Sequence, residues 1–288
     1  MNDEVYKPAG CKPLSELPDG QVRLLVFGPP FSGKTTGSLT FPNPVALSFD
    51  RKLTAHTHRE DVFNVPFYDG AFCDGIIRRN GLATPPNRRD ALLKWLLTEG
   101  VKLTVNQTAV LDNSTGIEEA FHTQYGLNPV ISKAGEIDAF AEWRQKVDFF
   151  GDLFTALKAM HCNVVYICHE APDRDKKGEL NGKIRPLMTG QVADKMGGNF
   201  TDCFAAITIA KPNGDDAFKK MCAHFKIDEA TGKEWVASTP PTHGTIYLWQ
   251  TQSDELRSCG TTSLYNCPKY ILADFKSFAK YRKQKLVS

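Results

Sequence analysis

Five short apolar runs recur along the chain, and each has the length of a buried strand. They lie at 22–27, 45–49, 108–111, 163–168 and 204–209. They are rich in β-branched residues and lack polar alternation, which is typical of strands that are covered on both faces. Between residues 136 and 160, apolar positions instead recur at three- and four-residue steps, which predicts a long amphipathic helix with Trp143 in the core.

Weaker patterns predict the remaining elements. They are a short strand at 62–65, a helix from Asp90 to Leu97 with its leucines on one face, a mobile loop at 171–200 with a short helix at 192–196, strands at 218–227 and 245–250 around a turn at 240–241, and a basic helix at 271–283. Strands that alternate with helices predict an α/β fold, namely a doubly wound, mostly parallel sheet with a C-terminal antiparallel β extension. We expect an N-terminal tail at 1–20 and a single domain at 21–288, with its core at 21–210 and a β-rich extension at 211–288.

Composition is that of an ordinary globular chain. The 288 residues are 41% apolar and 24% charged, with a net charge of +2, and no apolar run approaches the length of a membrane span. The polar start does not resemble a signal peptide, so we expect a cytoplasmic protein. The eight cysteines include no C-x-x-C pair, which argues against a zinc site or a disulfide framework.

The sharpest motif follows the first apolar run. Residues 28–36 read GPPFSGKTT, which is G-x-x-x-x-G-K-[ST] between a predicted strand and a predicted helix. Glycines let backbone N–H groups curl around a phosphate, and the helix N-terminus favours negative charge. We expect Lys34 to reach the β- and γ-phosphates of a nucleoside triphosphate and the Thr35 hydroxyl to ligate Mg²⁺. The predicted nucleotide-binding residues are Gly28, Pro29, Pro30, Phe31, Ser32, Gly33, Lys34, Thr35 and Thr36.

Polar residues also follow the later strands. Asp112 ends the run at 108–111, where a carboxylate would suit a second magnesium element. His169 and Glu170 follow the run at 163–168, and a parallel sheet would bring them beside the γ-phosphate. Asp50 follows the second run in the same way. The predicted catalytic residues are therefore Lys34, Asp50, Asp112, His169 and Glu170.

Three classes of phosphate-loop protein compete at this point. A GTPase would carry an N-K-x-D element, which the sequence lacks. A small-molecule kinase would need an arginine-rich lid, and the segment 174–185 could provide one. A RecA-like ATPase has an extra strand between the loop strand and the acid-tipped strand, followed by a basic loop that faces DNA. The order of elements favours this third class.

The residues also resemble a known family, the phage-encoded RecA-like nucleotide-binding proteins, which include ATPases that act in single-strand annealing. The resemblance covers residues 22–210 and rests on the stretches GPPFSGKTT, TAVLDNST, W-x-x-x-V-x-x-F, NVVYICHE and P-L-M-T-G. It implies Asp112 as a magnesium ligand and His169 as a γ-phosphate sensor. It also implies a ring or filament of identical subunits in a host cytoplasm, with single-stranded DNA, and a single-strand-binding protein, as partners. The DNA-binding residues would be Arg174, Lys176, Lys177, Lys183 and Arg185.

The chain departs from this family at one position. The second strand of the family usually ends D-x-E, with the glutamate polarising the attacking water, whereas here Lys52 stands in its place. Either Asp50 or Glu170 takes over this role, or turnover is slow. A nucleotide-gated assembly protein with little hydrolysis therefore remains an alternative, as does the kinase. Arg257 and Lys211 are candidates for a finger residue that contacts the phosphates.

Overall fold

The computed structural model describes residues 21–77, 87–127, 129–174, 177–188, 192, 197–239 and 244–282. The strands are β1 (Arg23–Gly28), β2 (Pro44–Ser48), β3 (Phe63–Pro66), β4 (Thr108–Asp112), β5 (Asn163–Arg174), β6 (Leu180–Pro186), β7 (Asp202–Ala210), β8 (Thr245–Gln250), β9 (Gly260–Thr261) and β10 (Tyr270–Leu272). The helices are α1 (Lys34–Ser38), α2 (Gly70–Ile77), α3 (Arg88–Thr98), α4 (Ser114–Leu127), α5 (Ala139–Ala159), α6 (Asp215–Phe225), α7 (Glu229–Ser238) and α8 (Phe275–Tyr281).

The main sheet has the strand order β10-β8-β7-β1-β5-β4-β2-β3. Strands β7 to β3 in this order run parallel to their neighbours, whereas β8 and β10 join antiparallel. Strand β5 lies between the loop strand β1 and the acid-tipped strand β4. The predicted α/β fold, with its extra central strand and its antiparallel extension, is therefore confirmed.

Both faces of the sheet are covered by apolar side chains. Leu25 and Phe27 of β1 pack into one core with residues of α3, α4 and α5, whereas Leu24 and Val26 pack into a second core with Trp249. A strand that is buried on two faces needs apolar residues at every position, which explains its continuous apolar run. No helix within the described residues combines the length and the apolarity that a membrane span requires.

Two glycines fit the predicted phosphate loop tightly against the sheet. Gly28 ends β1, and a Cβ there would lie 2.5 Å from the carbonyl oxygen of Ala206 on β7. Gly33 precedes α1 with a φ of +76°, and a Cβ there would lie 2.5 Å from Cδ1 of Tyr247 on β8. Any side chain at these two positions would force the loop away from β7 and β8.

The predicted mobile loop at 171–200 is wrong in its first half. Strand β5 continues to Arg174 and pairs antiparallel with β6, so that Ala171 faces Arg185 and Pro172 faces Ile184. Most side chains of this hairpin are polar and exposed on both faces. A ribbon of this kind has no apolar face and therefore no period of two that the sequence could display.

The predicted strand at 218–227 is also wrong, because the segment lies largely in α6. Phe218, Met221 and Cys222 follow the helical spacing of three and four residues, and Met221 and Cys222 are buried. The β-rich extension at 211–288 therefore contains two helices before β8. Trp143 is not a core residue either: it is 37% exposed and stacks on the still more exposed Phe140 at 5.8 Å.

The other predicted elements are confirmed with small changes. Strand β3 and helix α3 form as predicted, but α3 is capped by Asn87 rather than by Asp90, and Leu97 is exposed. The C-terminal helix is shorter than predicted and ends at Tyr281. The predicted tail at 1–20, the turn at 240–241, most of the helix at 192–196 and Lys176 lie outside the described residues. The single-domain organisation stays a prediction.

Candidate active site at the carboxyl edge of the sheet

The Lys34 ammonium lies inside the loop at 28–36. Its Nζ donates to the carbonyl oxygens of Gly28 at 2.9 Å and Pro29 at 2.5 Å, and it lies 3.3 Å from Ser32 Oγ. Burial lowers the pKa of Lys34 to about 8, against the opposing charges of Asp112 and Glu170. The loop thus holds a concentrated positive charge at the N-terminus of α1.

Thr35 and Asp112 meet at the same edge of the sheet. The Thr35 hydroxyl donates to Asp112 Oδ2 at 2.8 Å. Burial raises the pKa of Asp112 above its ordinary value, and the hydrogen bond from Thr35 offsets this only in part. A hydroxyl and a carboxylate are hard oxygen ligands, which suit Mg²⁺, an ion that proteins usually bind through one or two carboxylates together with phosphates and water. No group of three or more His, Cys, Asp or Glu in the described residues could hold a metal by itself.

His169 lies directly beside the loop. It pairs with Gly28 in the parallel register of β1 and β5, and its buried Nδ1 has no hydrogen-bond partner among the described residues. Burial and the charges of Lys34 and Lys52 lower the pKa of His169. The side chain is therefore a neutral imidazole at pH 7 with an unused polar atom at the site.

Asp50 and Lys52 form an ion pair at the tip of β2. Ser48 pairs with Asp112 across β2 and β4, and the Phe49 N–H donates to the Asp112 carbonyl oxygen at 3.2 Å. Lys52 Nζ lies 3.0 Å from Asp50 Oδ2. The pair therefore borders the same edge as Thr35 and Asp112.

Glu170 is engaged elsewhere. Arg257 Nη2 lies 3.4 Å from Glu170 Oε2, and the two side chains are only 16% and 18% exposed. Arg257 also belongs to a segment that runs along the hairpin, where the Ile184 N–H donates to the Leu256 carbonyl oxygen at 2.7 Å. The structure therefore places Glu170 near the site but in contact with a cation. Lys211 follows β7, where its N–H donates to the Gly244 carbonyl oxygen at 2.9 Å.

A cavity of about 250 Å³, which no sequence motif predicts, opens beside α1. It combines apolar side chains with cations, hydroxyls and an amide: Leu39, Arg51, Leu53, Thr54, His56, Thr57, Arg59, Val62, Asn64 and Tyr68. The Arg51 guanidinium lies over the Tyr68 ring at 5.7 Å, and Arg59 Nη2 donates to the Leu39 carbonyl oxygen at 3.1 Å. Arg51 and Arg59 belong to no recognisable motif, so the sequence carries no signal for this cavity.

Of the basic residues predicted to bind DNA, Arg174, Lys177, Lys183 and Arg185 lie on the β5–β6 hairpin. Arg174 Nη1 donates to the Gly178 carbonyl oxygen at 2.7 Å, and Arg185 Nε lies 3.2 Å from Asp173 Oδ1. Lys177 and Lys183 are exposed. Two of these cations therefore also stabilise the hairpin itself.

Comparisons with known proteins return weak structural similarities. RadB recombinase shares 15% identity over 67% of this chain and 79% of its own, with a TM-score of 0.37. The assembled ATPase EscN, solved with its central stalk EscO from the type III secretion system of enteropathogenic E. coli, shares 10% identity over 65% of this chain, with a TM-score of 0.33. A prototypical type III secretion ATPase of pathogenic bacteria shares 10% identity over 64% of this chain, with a TM-score of 0.35.

The aligned region spans only 42% and 51% of the two secretion ATPases. No curated protein matches the chain. A family model described as an AAA domain matches residues 21–221, which is more than half of the sequence. The chain therefore belongs to this AAA domain family.

Proposed function

We propose that this protein binds ATP with Mg²⁺ at the loop of residues 28–36, hydrolyses the ATP and couples this cycle to single-stranded DNA on the β5–β6 hairpin. The observation that carries the proposal is the course of β5. The strand passes the loop at His169 and continues without a break into the hairpin. Nucleotide and DNA would thus contact one continuous strand.

The nucleotide would lie along α1. Phosphates would replace the loop carbonyls around Lys34 and accept hydrogen bonds from the N-terminus of α1. The cavity lined by Leu39 begins at the other end of this five-residue helix, roughly 7 Å away at 1.5 Å per residue. That distance suits a triphosphate, so the base and ribose would occupy the cavity near Arg51 and Tyr68.

Mg²⁺ would be held by the Thr35 hydroxyl and the Asp112 carboxylate. When bound, it would neutralise charge on the β- and γ-phosphate oxygens. Its place is supported by the contact that Thr35 and Asp112 already make.

Hydrolysis needs a group that orients and deprotonates water. Among the predicted carboxylates, Asp112 contacts Thr35 and Glu170 contacts Arg257. Asp50 is also paired, with Lys52, but at 37% it is the most exposed of the three carboxylates, so water reaches it and we assign it the role of general base. His169, which is neutral, would contact a γ-phosphate oxygen through its ring.

Phosphate sensing would reach the DNA through the backbone. The Leu187 N–H, just after β6, donates to the His169 carbonyl oxygen at 2.6 Å. If His169 moves when it contacts a γ-phosphate, this hydrogen bond would therefore shift both strands of the hairpin. Arg174, Lys177, Lys183 and Arg185 would contact DNA phosphates, whose binding is electrostatic and sensitive to salt.

Assembly is the remaining part of the proposal. Arg257 is already paired with Glu170 in the same chain, so a finger residue would come from a second copy in a ring or filament. By its resemblance, the protein would act in recombination, annealing or replication of phage DNA, with a single-strand-binding protein as a further partner.

A second candidate function is a nucleotide-gated assembly protein with little hydrolysis. The observation that favours it is the Asp50–Lys52 ion pair, because a base that stays paired with a cation accepts protons poorly. A kinase has less support, because most of the segment 174–185 that could provide its lid is held in the β5–β6 hairpin.

Binding of a fluorescent oligothymidylate tests the DNA part. Wild-type protein should bind more tightly with ATP than without nucleotide, and more weakly as salt increases. Lys177→Glu/Lys183→Glu should weaken binding at least about tenfold, whereas Lys219→Glu/Lys220→Glu on the exposed face of α6 should change it less than about threefold. Absence of binding at low salt, or equal losses in both variants, would contradict the proposal.

A further inference from the structure

The segment just after β2 carries two opposite charges at the edge of the site. Asp50 and Lys52 follow Phe49, whose N–H is bonded to the Asp112 carbonyl oxygen. This backbone contact fixes the turn beside the residues that we assign to the metal. The side chains of Asp50 and Lys52 therefore border the position proposed for the γ-phosphate.

Lys52 contacts both carboxylate oxygens of Asp50. Its Nζ lies 3.0 Å from Oδ2, and its backbone N–H donates to Oδ1 at 2.9 Å. The Lys52 side chain is 76% exposed, and an exposed ion pair of this kind contributes little to folding stability. Stability alone therefore gives a weak reason for a lysine at this position.

The charge of Lys52 reaches into the site. Burial is the main cause of the lowered pKa of Lys34 and His169 and of the raised pKa of Asp112, and the charge of Lys52 adds to the first two shifts and opposes the third. Asp50 without Lys52 would place a bare carboxylate next to an anionic γ-phosphate, and like charges repel at short range. A lysine beside the base removes this repulsion.

We propose that Lys52 is a second phosphate-binding lysine, which pairs with Asp50 before ATP binds and moves to a γ-phosphate oxygen once ATP is bound. This inference rests on the proposed hydrolysis. The transfer would leave Asp50 unpaired only when substrate is present. The same lysine would thus stabilise the phosphoryl group and release the base.

Hydrolysis forms one bond to the γ-phosphorus and breaks another. The water oxygen forms a bond to the γ-phosphorus, and the bond from that phosphorus to the β–γ bridging oxygen breaks, so that ADP leaves with the electron pair. One water proton passes to Asp50 and from there to solvent, and the other stays on the phosphate. Lys52 keeps its proton throughout and acts through its charge.

Two substitutions of Lys52 test whether it contacts the γ-phosphate. Lys52→Ala should lower kcat/KM for ATP about 10- to 100-fold, because a charged contact to the transferred group is lost. ADP has no γ-phosphate, so its affinity should change less than about twofold. Lys52→Arg, which keeps the charge, should restore most of the activity.

Lys102→Ala is the matched control. Lys102 Nζ forms an exposed ion pair with Glu99 Oε1 at 2.8 Å, but it precedes the amino end of β4, at the opposite edge of the sheet. This variant should keep wild-type kinetics. The inference would be overturned if Lys52→Ala had the kinetics of Lys102→Ala, had higher activity than wild type, or lost ATP and ADP binding to the same extent.

The Lys34→Ala and Lys52→Ala variants give different results depending on whether the proposed function or the role of Lys52 fails. If wild-type protein hydrolyses ATP no faster than Lys34→Ala, both the proposed function and the role of Lys52 are overturned. Wild-type turnover that survives Lys52→Ala overturns only the role of Lys52. A further check is Asp50→Asn, to which Lys52→Ala should add little, because the two residues would act as one unit.

Discussion

The Thr35 hydroxyl donates a hydrogen bond of 2.8 Å to Asp112 Oδ2, across 77 residues of sequence. The contact forms because β4 lies next to β5, and β5 next to β1, with all three strands parallel. The carboxyl ends of these strands therefore share one edge, and the first turn of α1 starts there as well. Two residues that were predicted separately as magnesium ligands thus lie in direct contact.

Replacing Thr35 by valine should raise the requirement for magnesium. Thr35→Val keeps the shape but removes the hydroxyl, so the Mg²⁺ concentration that half-saturates nucleotide binding should increase at least about tenfold. Binding without Mg²⁺ should change less than about threefold. Thr155→Val, on the exposed face of α5, should behave like wild type. A titration of a fluorescent ATP analogue measures both quantities, and an unchanged magnesium dependence would contradict the assignment.

His169 should make the protein less stable in acid. Its pKa in the folded state lies below the ordinary value of 6.5 because of burial and of the charges of Lys34 and Lys52. Between these two values the unfolded chain binds more protons than the folded one, so the free energy of unfolding decreases as the pH falls below 6.5. His169→Gln should remove this part of the decrease, whereas the exposed His161→Gln should not. Urea unfolding at pH 7.5 and pH 5.5 tests the prediction. An equal decrease of the free energy of unfolding between the two pH values in both variants would refute it.

Two glycines should respond to alanine in opposite directions. A Cβ at Gly37 would lie 2.4 Å from the Ala273 carbonyl oxygen, whereas Gly151 in α5 has open space around it. Gly37→Ala should lower the free energy of unfolding by about 1–3 kcal/mol because the contact is overpacked. Gly151→Ala should raise it by about 0.5–1 kcal/mol because alanine favours the helix. Urea unfolding of both variants measures the two changes, and a stable Gly37→Ala protein would show that α1 does not pack as described.

The buried Cys73 and Cys168 and the half-buried Cys259 should react slowly with alkylating agents. Burial raises the pKa of Cys73 to about 11 and that of Cys168 and Cys259 to about 12, and the thiolate is the nucleophile. Iodoacetamide at pH 7.5 should therefore label these thiols much more slowly in folded protein than in urea. Mass spectrometry of the peptides follows each residue. Rapid labelling of Cys168 without denaturant would indicate that the centre of the sheet is accessible.

The sequence predicted those parts of the fold that one buried element determines by itself. Strands β1, β2 and β4 and the first halves of β5 and β7 are covered on both faces, so their apolar runs are continuous and visible. The β5–β6 hairpin is polar on both faces, and its pairing depends on residues that are distant from any core. The sequence predicted a strand in place of most of α6, because a short apolar segment with few buried residues fits the helical period as well as the period of two of a strand.

The candidate site likewise contains residues that the sequence predicts and contacts that it does not. Lys34 and Thr35 belong to a local motif, and Asp112 and His169 follow visible strands, so parallel pairing brings them to one edge. The contacts of Asp50 with Lys52 and of Glu170 with Arg257 depend on side-chain directions that no local pattern encodes. The cavity beside α1 forms only when the segment from Arg51 to Tyr68 folds against Leu39.

Phosphate release from ATP tests the central claim most directly. Wild-type protein and Lys34→Ala should be compared with and without single-stranded DNA over a range of protein concentrations. We expect wild-type protein to release phosphate above the Lys34→Ala background, with a rate per subunit that increases with DNA and with protein concentration. Wild-type release at the Lys34→Ala level under every condition, although ATP binds, would contradict the proposed ATPase.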